Sequence, residues 1–318
     1  MREVIIVCTY KRNELLHGCL RRLRGQDGDV PIIVFSDRGE VSKDLIDTCE
    51  KFEARLIVQP RHNFHGNSYS AGEALRFAWN CDYGMVHYVE DDVFVKPDFL
   101  RWAWGVHSDF DDIFCSCGWV FNHFMPIVDE TYFAPWIYIP QFSITWERLG
   151  LVLPHLNPLY YGDMWKYIGD NFTDNPINAM HPQAINHFEI DGLLQRILMQ
   201  NKMQVAWNSI AKVEHLGFGG YNRGGYETYE SLFEGLSTFE ERVARIEEFA
   251  ADPWWRLQYF DRKIVEREVG REVGQRIFRY KVTQGEWESE FVSDLLPHQL
   301  PKIINSVHRT PETVVECV

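Results

Sequence analysis

The sequence predicts an α/β fold: a mostly parallel, Rossmann-like sheet with helices on both faces. Three observations carry that expectation. Short apolar runs alternate with helix-length amphipathic segments through the first hundred residues, which is the β-α-β-α order of a helix-covered parallel sheet. The runs are continuously apolar, as strands buried on both faces require. Three of them end in polar side chains, Thr9-Tyr10-Lys11-Arg12, Ser36-Asp37-Arg38 and Glu90-Asp91-Asp92. In such sheets ligands sit beyond the carboxyl ends of the strands.

The elements follow in order. Val4 to Val7 is the first strand, and Glu14 to Arg24 carries Leu15, Leu16, Cys19, Leu20 and Leu23 at helical spacing, with Gly25 as its stop. Pro31 to Phe35 is a second strand, Ser42 to Phe52 a helix, and Ala54 to Gln59 a third strand. Asn67 to Trp79 sets Ala71, Ala74, Leu75 and Ala78 on one helical face, and Met85 to Val89 is a fourth strand. From about residue 113 the pattern loosens into aromatic, Pro-punctuated segments such as YFAPWIYIPQFSITWERLG. A helix returns at Asp191 to Gln200, then a strand-like run at Val205-Ala206-Trp207 and a glycine-rich loop, GFGGYNRGG, over 217–225. Beyond about 226 the composition turns charged and helix-compatible, as in STFEERVARIEEFAADPWWRLQYF. The expected organisation is a catalytic domain over 1–225, with halves 1–112 and 113–225, and a C-terminal helical extension over 226–318.

Composition narrows the function classes. A net charge of −14 over 318 residues argues against broad nucleic-acid binding, which runs on Lys and Arg neutralising phosphates. The 7 cysteines are an odd, scattered set that fits a reducing compartment, and Cys115 and Cys117 are too close together for a zinc knuckle. The apolar core of MREVIIVCTYKRN is too short for a signal peptide, and no run approaches membrane-spanning length. A cytoplasmic protein without a membrane anchor is expected.

Several chemistries are excluded by pattern. A dinucleotide fingerprint belongs in the first strand-to-helix turn, and that turn here is CTYKRN, with no glycine. Neither a P-loop nor a GxSxG elbow occurs. The acidic triplet Glu90-Asp91-Asp92 stands out instead. Hard divalent cations take carboxylate oxygens, and one that holds a diphosphate uses only one or two from the protein. A solvated acidic turn ahead of a helix opened by Pro97-Asp98 accounts for the same residues.

The ordered set VIIVCTYKRNELLHGCLRRL, IIVFSDRG, GNSYSAGEALRFAW and YVEDDVFVKPDFL resembles the GT-A class of nucleotide-sugar glycosyltransferases. The EDD form of the DxD-type segment is similar to that of N-acetylglucosaminyltransferase I-like enzymes, and the first third is similar to the family-two inverting transferases. The resemblance covers about residues 1–225, weakly in the middle, and none of 226–318. It implies a GT-A fold and transfer of a sugar from a nucleotide diphosphate donor, a UDP-sugar first among them, to an acceptor hydroxyl, with inversion, retention by double displacement or front-face attack being the alternative. Thr9, Tyr10 and Arg12 would then line the nucleotide pocket, with Asp37 on the base or ribose and Asn67 and Ser70 over the nucleotide. Asp91 would approach the ribose or sugar, and Asp92 would bind Mn²⁺ or Mg²⁺, with His215 completing the metal shell. Arg223, in the glycine loop, would pair a donor phosphate. Asp191 would be the general base, with Glu189 as its substitute. The acceptor is a glycan, a small molecule or a hydroxymethylated DNA base, the last disfavoured by the net charge. A sugar nucleotidyltransferase and a non-catalytic nucleotide- or sugar-binding module are the other readings of the same residues.

Overall fold

The computed structural model describes residues 2–64, 66–119, 131–137, 139–173, 188–216 and 229–252, and the backbone of 277–283, 286–293 and 313–314. The chain divides into two compact units, Met1–Val213 and Glu214–Val318.

The first unit is built on an eight-stranded sheet. Its first half runs β1 (Glu3–Thr9), α1 (Asn13–Arg24), β2 (Ile32–Ser36), α2 (Lys43–Lys51), β3 (Arg55–Val58), α3 (Gly66–Asn80) and β4 (Met85–Glu90). After the short strand β5 (Val93–Val95) and helix α4 (Phe99–Asp109) come β6 (Cys115–Cys117), β7 (Thr131–Ala134), β8 (Gln141–Thr145), α5 (Trp146–Val152), α6 (Pro158–Gly162), α7 (Met164–Asn171), α8 (Ile190–Gln200) and β9 (Val205–Asn208). The spatial order is β3-β2-β1-β4-β8-β6-β9-β7, and β8 and β7 run against the other strands. The α/β class and the mostly parallel sheet are thus the expected ones.

The apolar runs form strands because they can be covered twice. Val4 to Val7 and Ile32 to Phe35 are almost wholly buried. Right-handed crossovers put α1 and α2 on one face and send α3 to the other. In agreement, α1 packs on α2, and α3 on α5 and α8. Leu15, Leu16, Cys19, Leu20 and Leu23 form the buried stripe of α1, and Ser42 caps α2 by accepting from Leu45 N at 3.1 Å. On the opposite face Trp79 of α3 stacks on Trp146 of α5 at 3.9 Å.

Register then sets what meets at the carboxyl edge. β1 lies between β2 and β4, with Thr9 opposite Ser36 and Cys8 opposite Glu90. One residue further along, Thr9 is level with Asp91, and Asp37 follows Ser36 on the neighbouring strand. Three polar strand ends therefore share one edge.

In the second unit helix α9 (Phe239–Ala251) opens with a capping box between Thr238 and Glu241 and stops ahead of Pro253. The segment expected to be helical from 226 on then departs from expectation. Strands β11 (Ile277–Thr283), β12 (Glu286–Ser293) and β13 (Thr313–Val314) form an antiparallel sheet in the order β12-β11-β13. IFRYKVT alternates apolar and charged residues and is rich in β-branched and aromatic types, and that period of two suits a strand. No helix among the described residues is long and apolar enough to cross a membrane.

A polar seam crosses the sheet between β4, β8 and α4. His87 is fully buried, with Nδ1 at 2.8 Å from Ser143 Oγ and Nε2 at 3.3 Å from Glu3 Oε2. His107 Nε2 lies 3.0 Å from the Ser143 carbonyl. Burial pulls the His107 imidazole down from 6.5 to about 4, against the pull of that carbonyl. Below about 6.5 the unfolded chain therefore binds a proton that the folded chain refuses, and stability falls as the pH drops towards 4. Urea midpoints measured from pH 7 to pH 4 should decline, and His107→Gln should decline less steeply. An identical slope in the variant removes His107 as the cause.

Candidate active site

Thr9, Arg12, Asp91 and Asp92 come together where β1 and β4 end. Thr9 Oγ1 donates to Asp91 Oδ2 at 2.6 Å, and Arg12 Nε donates to the same oxygen at 3.3 Å. Arg12 Nη2 pairs with Asp91 Oδ1, and Nη1 donates to Asp92 Oδ2 at 3.1 Å. The guanidinium thus forks onto one carboxylate and bridges to the next, the geometry that favours Arg over Lys. Asp91 and Asp92 are 0% and 1% exposed. Burial pushes the Asp91 carboxyl up to about 6, Arg12 pulls it back, the Asp92 charge raises it, and the Thr9 hydrogen bond lowers it again.

Glu90, the first of the triplet, is half-buried and accepts from Asn67 Nδ2 at 3.4 Å. That contact ties the triplet to the start of α3. Ser68, the next residue on α3, accepts from Ile190 N at 3.0 Å, so the start of α8 is fastened to the same turn. Asp191 sits in the first turn of α8, half-buried, accepting from Gly192 N at 2.8 Å. Glu189 is the N-cap, without a side-chain cap bond. Tyr160 lies against this group: its hydroxyl donates to the Phe188 carbonyl at 3.1 Å. Burial raises the Tyr160 phenol, Ser68 opposes that, and the charges of Asp191 and Glu189 add to it.

Asp37 is held differently. It is 5% exposed, with Oδ1 taking the Arg38 backbone N–H at 2.9 Å and lying 2.7 Å from His62 Nε2. The Arg38 Nε approaches Oδ2 at 3.6 Å. A Cβ on Gly66 would stand 2.7 Å from Asp37 Oδ2, so a larger residue there would have to displace this carboxylate. Tyr10 flanks the bracket, with the Arg38 guanidinium 5.9 Å and Lys11 Nζ 5.3 Å from its ring centre. Arg38 and Lys11 both take left-handed backbone, at φ 53° and 58°, which is uncommon outside glycine and clusters at functional sites.

Ser70 does not join the group. It is buried, and its hydroxyl donates to Gln59 Oε1 at 2.6 Å. It ties α3 to Gln59, just beyond the end of β3. His215 ends strand β10 (Val213–His215) and belongs to the second unit, and Arg223 lies outside the described residues. His62, beside Asp37, and Arg196, within reach of the Asp191 charge, are polar residues that sequence reasoning did not single out. Arg196 is 1% exposed on α8, where burial lowers its pKa and the Asp191 charge opposes that. An arginine inside the apolar stretch LLQRIL is a legible signal; His62, in a loop without periodicity, offers none.

Two adjacent carboxylates sharing one cation, here the Arg12 guanidinium, are a donor set that fits a hard divalent ion taking one or two protein carboxylates and completing its shell with water and phosphate oxygens. Among the described residues no group of three His, Cys, Asp or Glu side chains could hold a metal by itself.

No protein-family model and no curated protein matches this chain. Solved structures align with it at low identity. S. aureus TarS aligns at 13% identity over 92% of this chain and 59% of its own, with a TM-score of 0.42. The mannosyltransferase PcManGT from Pyrobaculum calidifontis, in complex with GDP-Man and Mn²⁺, aligns at 13% over 84% and 75%, with a TM-score of 0.38. A cytidylyltransferase from Leptospira borgpetersenii aligns at 10% over 80% and 95%, with a TM-score of 0.40. This chain thus spans 59% of the length of TarS. All three TM-scores lie below 0.5.

Removing Arg12 leaves two buried carboxylates without their cation. Arg12→Ala should cost about 3 kcal/mol in chemical denaturation, and Arg12→Lys should recover part of that by restoring charge without the fork. A neutral Arg12→Ala would show that the bridge does not hold this edge together.

Proposed function

We propose that this protein is a metal-dependent glycosyltransferase moving a sugar from a nucleotide diphosphate donor to an acceptor hydroxyl. The observation that supports it is the convergence on one α3 turn of the acidic strand end and the start of α8. Glu90 meets Asn67, and Ser68 meets Ile190 beside Asp191. A carboxylate pair for the donor and a separate carboxylate for the acceptor are thereby fastened to one rigid helix end.

Asp92 would hold Mn²⁺ or Mg²⁺, which when bound supplies charge to neutralise the departing diphosphate. Asp91, positioned by Thr9 and Arg12, faces the ribose or the sugar. Tyr10 and the Asp37 bracket, with Asn67, form the nucleotide side, and a UDP-sugar is the donor to test first. In the transfer the acceptor oxygen bonds to C1 as the bond from C1 to the diphosphate oxygen breaks, and the electron pair leaves with the nucleotide. The hydroxyl proton passes to the Asp191 carboxylate, half-buried in the first turn of α8. One in-line displacement of this kind inverts the anomeric centre.

The test is a panel of UDP-, GDP-, CDP- and dTDP-sugars with Mn²⁺, followed by calorimetry and nucleotide release. One donor should bind, and chelator should abolish the binding. Asp92→Asn should lose donor binding, whereas Asp191→Asn should keep it and lose turnover at least a hundredfold. No binding to any donor, or binding indifferent to chelator, overturns the reading. Release of pyrophosphate from a nucleoside triphosphate and a sugar phosphate would mark a nucleotidyltransferase in its place.

A further inference from the structure

The Asp37 carboxylate at the end of β2 is used on one side only. Its Oδ1 accepts the Arg38 backbone N–H at 2.9 Å and the His62 Nε2–H at 2.7 Å, which fills both lone pairs of that oxygen. Its Oδ2 accepts no hydrogen bond among the described residues, and the Arg38 Nε–H that stands 3.6 Å from it donates none. An open acceptor and an open donor therefore lie side by side.

His62 is held firmly in this position. Its side chain is 5% exposed, and its ring lies 4.1 Å from that of Tyr69 and stacks at 5.9 Å on Phe64. The Phe64 carbonyl in turn accepts from Arg38 Nη2 at 3.2 Å, so the two partners of Asp37 are tied to one loop. The bare backbone of Gly66 sets no Cβ against Oδ2. Tyr10, half-buried beside the Arg38 guanidinium, offers ring surface on which a base can stack.

An acceptor next to a donor matches an N–H beside a C=O on the edge of a ring. Uracil and thymine present that pair at N3–H and C4=O, with a second carbonyl on the other side and no further donor. Guanine presents it at N1–H and C6=O but adds the 2-amino group, whose hydrogen would need Oδ1. Cytosine turns a bare N3 lone pair towards the carboxylate. Polar groups left unpaired in a buried site are rejected strongly. We propose that His62 is a positioning residue that sets base specificity: by filling Oδ1 it leaves Asp37 a single acceptor oxygen, which selects uracil or thymine and excludes guanine. This inference rests on the nucleotide-sugar reading of the site and names the base that reading leaves open.

Free UDP, dTDP, CDP, GDP and inosine diphosphate, titrated with Mn²⁺ into the full chain by calorimetry, test it. UDP or dTDP should bind about tenfold or more tighter than CDP, and the comparison of those two tells uracil from thymine. Inosine diphosphate, which is GDP without the 2-amino group, should bind about tenfold or more tighter than GDP. His62→Ala should close that purine gap by freeing Oδ1, whereas His62→Gln, which keeps an N–H, should retain it. The parent panel stands whether or not His62→Ala folds. A purine gap that persists in His62→Ala overturns the role of His62. CDP as tight as UDP, or GDP as tight as inosine diphosphate, in the parent overturns the base assignment and leaves the transferase reading intact. No binding of any nucleotide overturns both.

Discussion

Two buried carboxylates at the end of a strand cannot stay charged unless a cation reaches them, and the β1–β4 register brings one. With Cys8 opposite Glu90, the turn after β1 delivers Thr9 to Asp91 and the Arg12 fork to both aspartates. The rest of the edge is organised round that bridge. Arg12 immediately precedes α1, so the ion pair sets where that helix begins. Glu90, the first of the triplet, reaches α3 through Asn67.

From there the constraint passes through α3. Its first turn meets Glu90 through Asn67, the start of α8 through Ser68, and Asp37 through the bare backbone of Gly66. A single helix end thus meets three groups of carboxylates far apart in sequence, at 37, at 90–92 and at 191. This arrangement suits chemistry in which one carboxylate group handles an anionic leaving group and another handles a proton, because neither can move without the other. The opposite edge of the same sheet is built on another principle. A histidine-serine seam links β4, β8 and α4 there.

The fold of the first half was legible almost residue by residue. Strands buried on both faces must be continuous apolar runs, and helices packed on them must carry a stripe, so β1 to β4 and α1 to α3 announce themselves. The triplet was legible too, since three carboxylates ending such a run have no packing reason to be there. The middle was harder: β6 has only three residues, CSC, and its strand character comes from neighbours rather than from its own pattern. The strands after α9 were missed because a charged composition masked the period of two in IFRYKVT.

Within the site, the partition follows the range of the forces. The sequence by itself determined the α/β class, the polar strand ends and the acidic segment, because hydrophobic periodicity acts over a few residues. Only the tertiary structure decided that Arg12 bridges Asp91 and Asp92, that His62 brackets Asp37, that Ser70 locks a helix and that Asp191 is fastened to the same α3 turn as Glu90. Those contacts depend on which strand ends are neighbours and in what register, and the packing of the whole sheet sets that.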